Sequence, residues 1–335
     1  MNPGRYRVVV VGTPPSWDVS IEAAELAKFN ADVEHTGGWG EDEILAAAHD
    51  ADGILDQYAK ITRRVMESLP RLRVIGRYGI GVDAVDVHAA TELGIAVCNT
   101  PGFCIREVAD HALMFLLVCA KQLFPQLQRT RAGSWDPRLA DELPSLWSQT
   151  LGLVAFGQIA RAVAKRARNL DIRILAYDPY VSQLEADPYG VKMVGLDELL
   201  AESDYLSIHS LLSKETHHML SEREFRLMKP TSFVLNLARG SLIDEGALIK
   251  ALREKWIAGA ALDVVEQEPI DRSSPLLKMD NVIITPHCAG NSLNSQAAMK
   301  ARLGMALGTV LTGGWPTSDL YNPGVKETAH LRILG

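Results

Sequence analysis

Residues 151 to 180, LGLVAFGQIARAVAKRARNLDIRILAYDPY, constrain the fold more than any other stretch, because they read as strand, tight turn, helix and second strand. Leu151, Leu153 and Val154 make the apolar run of a strand buried on both faces. Ala155-Phe156-Gly157-Gln158-Ile159-Ala160 is a variant of the dinucleotide turn G-x-G-x-x-G/A. Gly157, the middle glycine position, lets backbone approach a pyrophosphate, which then sits at the positive end of the following helix. Asp178 ends the second strand, where an acid can accept hydrogen bonds from an adenosine ribose. Ala160 in the third position still lets helix and strand pack closely. Ala155 in the first position implies a turn that needs no positive φ there.

The same alternation recurs on both sides of this stretch. Strands are expected at 6–11, 31–35, 53–56, 73–77 and 95–98, with helices at 21–29, 41–49, 62–69 and 85–93 between them. Such alternation implies a parallel sheet covered by helices on both faces. Asn99-Thr100-Pro101-Gly102 breaks the pattern and reads as a linker. A long helix over 104–124 follows, then an extended arm over 125–149 with Gly133, Pro137 and Pro144. Six strands, at 151–156, 172–177, 205–209, 233–237, 258–264 and 282–285, suit a doubly wound sheet. A helix at 295–311 and a Gly/Pro-rich tail close the chain.

The chain has 335 residues, too many for one ordinary domain and suited to two. Its net charge of −7, with no basic run, argues against nucleic acid as a main partner. Cys98, Cys104, Cys119 and Cys288 are scattered, with no metal-site or disulfide spacing. They read as thiols of a reducing compartment, and the chain as cytoplasmic. The N-terminal apolar run, Val8 to Val11, is shorter than that of a signal peptide. The most apolar helical stretch, 112–120, is far below the ~20 residues of a membrane span. That stretch is apolar all round, so it is expected to be buried on every side.

Ordered motifs then carry a resemblance. They are R-Y-G-I-G-V-D at 77–83, N-T-P-G at 99–102, V-A-D-H-A at 108–112, the dinucleotide turn with Asp178, N-L-A-R-G at 236–240, A-L-D-V-V-E-Q-E-P at 261–269 and T-P-H at 285–287. With them the chain resembles the D-2-hydroxyacid dehydrogenases from residue 6 to about 323. The resemblance implies two doubly wound α/β domains. A Rossmann-type NAD-binding domain, 101–290, is inserted into a flavodoxin-like substrate domain built from 1–100 and 291–335. Hinges near 99–102 and 288–292 would close a catalytic cleft.

The resemblance also implies a catalytic set: Arg239, Glu268 and His287. Reducing a 2-keto acid takes a hydride at the carbonyl carbon and a proton at its oxygen. A guanidinium can hold a carboxylate in a fork and polarise the carbonyl. An imidazole must be protonated to donate, and a carboxylate beside it favours that state. Glu266 is a rival for the acid; the family match places the acid just before Pro269, which selects Glu268. For NAD the resemblance implies Ala155, Gly157 and the backbone N–H groups of Gln158 and Ile159 at the pyrophosphate. It places Asp178 at the ribose and Asp263 at the nicotinamide amide, with Thr100, His209, Ala238 and His287 beside the cofactor. The family often has Arg at position 158 and Pro at 211, where this chain has Gln158 and Leu211. For substrate it implies the backbone N–H groups of Ile80 and Gly81 on the carboxylate, shared with Arg239. No metal is expected, and the adjacent His217 and His218 read as a solvated pair, since sequence neighbours do not share a helix face.

Gln57 and Tyr58 are expected on the wall facing the far end of the substrate. Family members that oxidise phosphoglycerate begin this segment with Arg and Ser. Here Asp56 stands at the Arg position, and its charge would repel a phosphate. This favours a small unphosphorylated keto acid such as glyoxylate or hydroxypyruvate, with 3-phosphoglycerate as the alternative. Asp178, with Pro179 and Tyr180 after it, favours NAD(H) over NADP(H). The family places the apolar helix in a two-fold interface, implying a homodimer with the 125–149 arm reaching over its partner. A second class stays open. T-H-H-M-L at 216–220, A-Y-D-P-Y at 176–180 and G-A-A-L-D-V at 259–264 are similar to the C-terminal-binding protein co-repressors, which use NAD to assemble complexes. Those carry a Trp soon after the catalytic His, absent from Cys288 to Ser292 here.

Overall fold

Val8 to Val11 are wholly buried, because the strand that carries them is flanked by a strand on each side and covered by helices on both faces. The structure, a computed structural model, describes residues 5–140 and 143–333. The chain forms two compact units, Met1–Phe103 with Ser292–Gly335, and Cys104–Asn291.

The first unit holds β1 (Tyr6–Val11), β2 (Ala31–His35), β3 (Gly53–Asp56), β4 (Val74–Arg77) and β5 (Ala96–Cys98). They form one parallel sheet in the order β2-β1-β3-β4-β5, the flavodoxin-like order. Ile44, Val65, Met66, Leu69 and Ala89 fill one face. Leu26, Met299, Leu303, Leu307 and Val310 fill the other. The C-terminal helix Leu293–Leu311 therefore completes the core of the N-terminal sheet. Gly76 in β4 makes this possible: a Cβ there would lie 2.6 Å from Leu307 Cδ1 and 2.7 Å from Leu55 Cδ2. Pairing of Val11 with Asp56, and of Asp56 with Arg77, sets these residues level at the carboxyl edge of the sheet.

The second unit holds β6 (Thr150–Val154), β7 (Arg173–Tyr177), β8 (Lys192–Met193), β9 (Tyr205–Ile208), β10 (Phe233–Asn236), β11 (Gly259–Leu262) and β12 (Val282–Ile284). The order is β12-β11-β10-β9-β6-β7-β8, all parallel, with the reversal between β6 and β9 that marks a doubly wound dinucleotide fold. The expectation of six strands misses β8, whose two residues are too short to show a period.

Two expectations for 104–149 need correction. The long helix stops at Ala120, and Gln122 turns the chain at φ +45. A second helix, Leu123–Arg131, then replaces the first part of the expected extended arm. Residues 141 and 142 of that arm lie outside the described residues. Within one chain, the apolar helix Ile105–Ala120 buries Ala112, Phe115, Leu116 and Cys119 and leaves Met114 42% exposed. Among the described residues, no single helix is long and apolar enough to cross a membrane.

Candidate active site

Strand register builds the first half of the site. Val154 pairs with Tyr177 and with Ile208, so Ala155, Asp178 and His209 emerge side by side at the carboxyl edge. Ala155 N–H donates to Tyr177 O at 2.8 Å, and His209 N–H to Val154 O at 2.9 Å. Asp178 braces the turn, taking Phe156 N–H on Oδ2 and Tyr180 N–H on Oδ1, each at 2.9 Å. The helix Gln158–Ala167 starts directly after Gly157, whose position has no side chain to cap it. A Cβ on Gly157 would meet nothing within 4 Å, so the approach to the helix start is open.

These residues fit a dinucleotide. The helix start offers N–H groups and positive dipole to a pyrophosphate. An ionised carboxylate has about four acceptor positions, so Asp178 keeps acceptors for ribose hydroxyls beside its two backbone bonds.

The expectation that this turn needs no positive φ is wrong, because Ala155 sits at φ +67. The ladder bond to Tyr177 O and the reach of Phe156 N–H to Asp178 impose the left-handed turn whatever the side chain. An alanine there costs about 1–2 kcal/mol. Ala155→Gly removes that strain but adds unfolded-state freedom, leaving a net gain of roughly 0.5–1 kcal/mol. Urea denaturation should show a higher midpoint at unchanged slope. A lower midpoint would refute the strain.

His209 pairs through Nε2 with Ser207 Oγ at 3.0 Å. Burial pulls its pKa down to about 4, so it brings no charge to the edge at neutral pH. Leu211 beyond it is exposed.

Strands β10 to β12 build the second half. Asn236 brackets the next turn: its Oδ1 accepts from Ala238 N–H at 3.1 Å and its Nδ2 donates to Arg239 O at 2.9 Å. Arg239 has extended backbone and donates from Nη1 to Ala238 O at 2.7 Å. Gly240 lies so close to the next segment that a Cβ would fall 1.9 Å from Val265 O.

Asp263, 2% exposed, organises the loop after β12. Its Oδ1 accepts from Thr285 Oγ1 at 2.5 Å and from Cys288 N–H at 2.9 Å, and its Oδ2 from Ala289 N–H at 2.9 Å. Its backbone O accepts from His287 N–H at 2.8 Å. His287 is thereby held at φ +50, and its Nδ1 lies 2.6 Å from Glu268 Oε2. Glu268 Oε1 accepts from Val265 N–H at 3.2 Å. The rival Glu266 turns elsewhere, to His218 Nε2 at 2.6 Å.

His111 was not singled out from the sequence, although it stands in the V-A-D-H-A motif. Its Nε2 lies 3.1 Å from Thr285 Oγ1 and 4.0 Å from Asp263 Oδ1. Burial lowers its pKa, and the nearby Asp263 opposes the shift. Thr285 and Asn236 open the T-P-H and N-L-A-R-G motifs, but their bracketing role carries no sequence signal, because it depends on partners that only the folded loops supply.

In the first unit, Gly79 turns at φ +133 ahead of Ile80 and Gly81. Asn99 Nδ2 donates to Ile80 O at 2.6 Å, and Thr100 N–H to Gly79 O at 2.9 Å. Thr100 is fully buried and its hydroxyl also donates to Gly79 O, so its side chain serves this turn. Tyr58 is half exposed and stacks on Trp39 at 6.2 Å; Gln57 beside it is partly buried. Asp56 needs correction. It is 0% exposed, its Oδ1 accepts from Ala59 N–H at 2.9 Å, and burial pushes its carboxyl up to about 7 against the pull of Arg77. It does not present a solvent-facing anion, because it ends β3 with its side chain turned into the fold.

Comparison with known proteins places the chain in a family. The family model for the D-isomer specific 2-hydroxyacid dehydrogenase, NAD binding domain, matches residues 113–289. The chain is 39% identical to a glyoxylate reductase of Korarchaeum cryptofilum over 260 residues, covering 76% of this chain and 78% of that one. It is 37% identical to a D-3-phosphoglycerate dehydrogenase of Archaeoglobus fulgidus over 281 residues, covering 83% of this chain and 53% of that one. A D-lactate dehydrogenase from Aquifex aeolicus, solved with NAD and lactic acid, superposes with a TM-score of 0.81 at 28% identity, covering 91% of this chain and 96% of that one.

Proposed function

This chain belongs to the D-isomer specific 2-hydroxyacid dehydrogenase family and is an NAD-dependent oxidoreductase of CH–OH groups, and from that premise we propose that it reduces a small, unphosphorylated 2-keto acid with Arg239, Glu268 and His287 as its catalytic set. The observation that carries this reading is the 2.6 Å bond between His287 Nδ1 and Glu268 Oε2. It fixes the imidazole by one nitrogen and leaves Nε2 to exchange a proton with the substrate oxygen. Arg239 holds the substrate carboxylate and polarises the carbonyl. Bound NADH supplies the hydride. In oxidation, neutral His287 takes the hydroxyl proton instead.

Gly157, Gln158 and Ile159 are read as the pyrophosphate site and Asp178 as the ribose acceptor. Ala238 and His209 border the same carboxyl edge of the sheet. Ile80 and Gly81 are read as donors to a substrate carboxylate. The discontinuous first unit is read as the substrate domain and the second as the cofactor domain. The half-exposed Met114 and the exposed Leu123, Phe124 and Leu127 support a homodimer covering the helices Ile105–Ala120 and Leu123–Arg131. The four free thiols support a cytoplasmic setting.

Steady-state kinetics test the cofactor and substrate together. NADH should exceed NADPH in kcat/KM, since the Asp178 carboxylate repels a 2′-phosphate. Glyoxylate or hydroxypyruvate should exceed phosphohydroxypyruvate. The phosphoglycerate reading rests on the Archaeoglobus relative and the exposed Lys60, while Gln57 and Tyr58 bring no positive charge. Dominant phosphohydroxypyruvate turnover would replace the first reading with the second, and absence of turnover on any 2-keto acid would favour a binding protein.

A further inference from the structure

Three ligating side chains outside the proposed catalytic set converge on one point of the second unit. His217, His218 and Glu266 each present a ligand atom, and these atoms all lie within 4.8 Å of one another. We propose that they form a binding site for a borderline divalent cation, with Zn2+ as its best-matched occupant. Two imidazoles and one carboxylate make a three-ligand zinc set that leaves the fourth position to water.

The expectation of an independent solvated pair assumed regular helical geometry, where neighbours diverge. The local backbone differs. His217 N–H closes a turn on Ser213 O at 3.0 Å, and the next residue, His218, flips to φ +52. The two rings consequently stack, with centroids 3.9 Å apart and planes at 28°. Glu266 arrives from the segment after β11, and its Oε1 already lies 2.6 Å from His218 Nε2.

Three segments fix this arrangement to one another. His218 N–H donates to Ser241 O at 2.8 Å. Glu266 N–H donates to Glu245 Oε2 at 3.1 Å, and Glu266 Oε2 accepts from Glu245 N–H at 3.4 Å. The carboxylate that would bind the ion is thus oriented by a second layer of bonds, as ligating carboxylates commonly are. Ligand atoms about 2.0–2.1 Å from zinc lie roughly 3.3 Å apart, so to take the ion the two rings turn out of their stack and the His218–Glu266 contact opens from 2.6 Å. A bound ion would tie the 213–220 turn to the segments carrying Arg239 and Glu268 and act as a staple beside them. An exposed His–Glu ion pair alone would contribute little.

Equilibrium dialysis of the full-length, chelator-stripped protein against ZnCl2, with bound zinc measured directly, tests the site. The wild type should bind about one zinc per chain. His217→Ala and Glu266→Gln should each weaken binding by about tenfold or more. Cys288→Ser and His287→Ala should bind as the wild type, which separates this site from a thiol site or the His287–Glu268 pair. A thermal shift on adding zinc should follow the same pattern, and the zinc-free variants should melt like the zinc-free wild type. No saturable binding, or binding unchanged in both His217→Ala and Glu266→Gln, overturns the proposal.

Discussion

His287→Ala and Arg239→Ala are each expected to lower kcat/KM by a factor of about 10² or more, one by removing a general acid and the other an electrostatic clamp. Both residues stand at the carboxyl edge of the second sheet, where open α/β folds bind ligands. Neither is deeply buried, so their loss should leave the melting temperature near that of wild type. Glu268→Gln should keep partial activity, since an amide can still meet His287 Nδ1 but carries no charge to stabilise an imidazolium. Glu266→Gln should have little effect, because Glu266 faces His218 instead. Assays of the four variants with a competent 2-keto acid decide the matter. Equal losses for Glu266→Gln and Glu268→Gln would contradict the acid assignment, and an active His287→Ala enzyme would end the catalytic proposal altogether.

Asp263→Ala should be the most damaging change that keeps the catalytic side chains intact. The carboxylate accepts from the Thr285 hydroxyl and from two backbone N–H groups of the loop that carries His287. Removing it orphans these donors near the core. Each orphan costs about 1–3 kcal/mol, so a loss of roughly 3 kcal/mol or more is expected. Asp263→Asn keeps one acceptor oxygen but turns an NH2 group toward a donor, and should fall between. If Asp263 positions the loop, Asp263→Ala lowers both the denaturation midpoint and kcat. If instead it serves only to hold a nicotinamide amide, KM for NADH rises at unchanged stability. Thr285→Val, which removes one of the three partners and the contact to His111, should reproduce a smaller version of the first pattern.

Buried parallel strands announce themselves locally, as Val8 to Val11 and Leu151 to Val154 do, because both faces need apolar side chains. The dinucleotide turn was legible for the same reason: a middle glycine and an acid at the end of the next strand are local requirements. The ordered motifs then supplied the catalytic set by resemblance, including the choice of Glu268 ahead of Pro269. The sequence by itself therefore determined the alternation of elements, the two-sheet fold and the candidates Arg239, Glu268 and His287. Only the tertiary structure decided what depends on partners distant in the chain. It made Ala155 take a left-handed φ, since the demand comes from Tyr177 and Asp178 and not from residue 155. It buried Asp56, whose neighbours across the sheet are Val11 and Arg77, and so took the carboxylate read onto the substrate wall out of solvent. It turned Glu266 and Glu268, two positions apart, onto different histidines. Periodicity and spacing report what a segment needs, whereas burial and hydrogen-bond partnership depend on where other segments end.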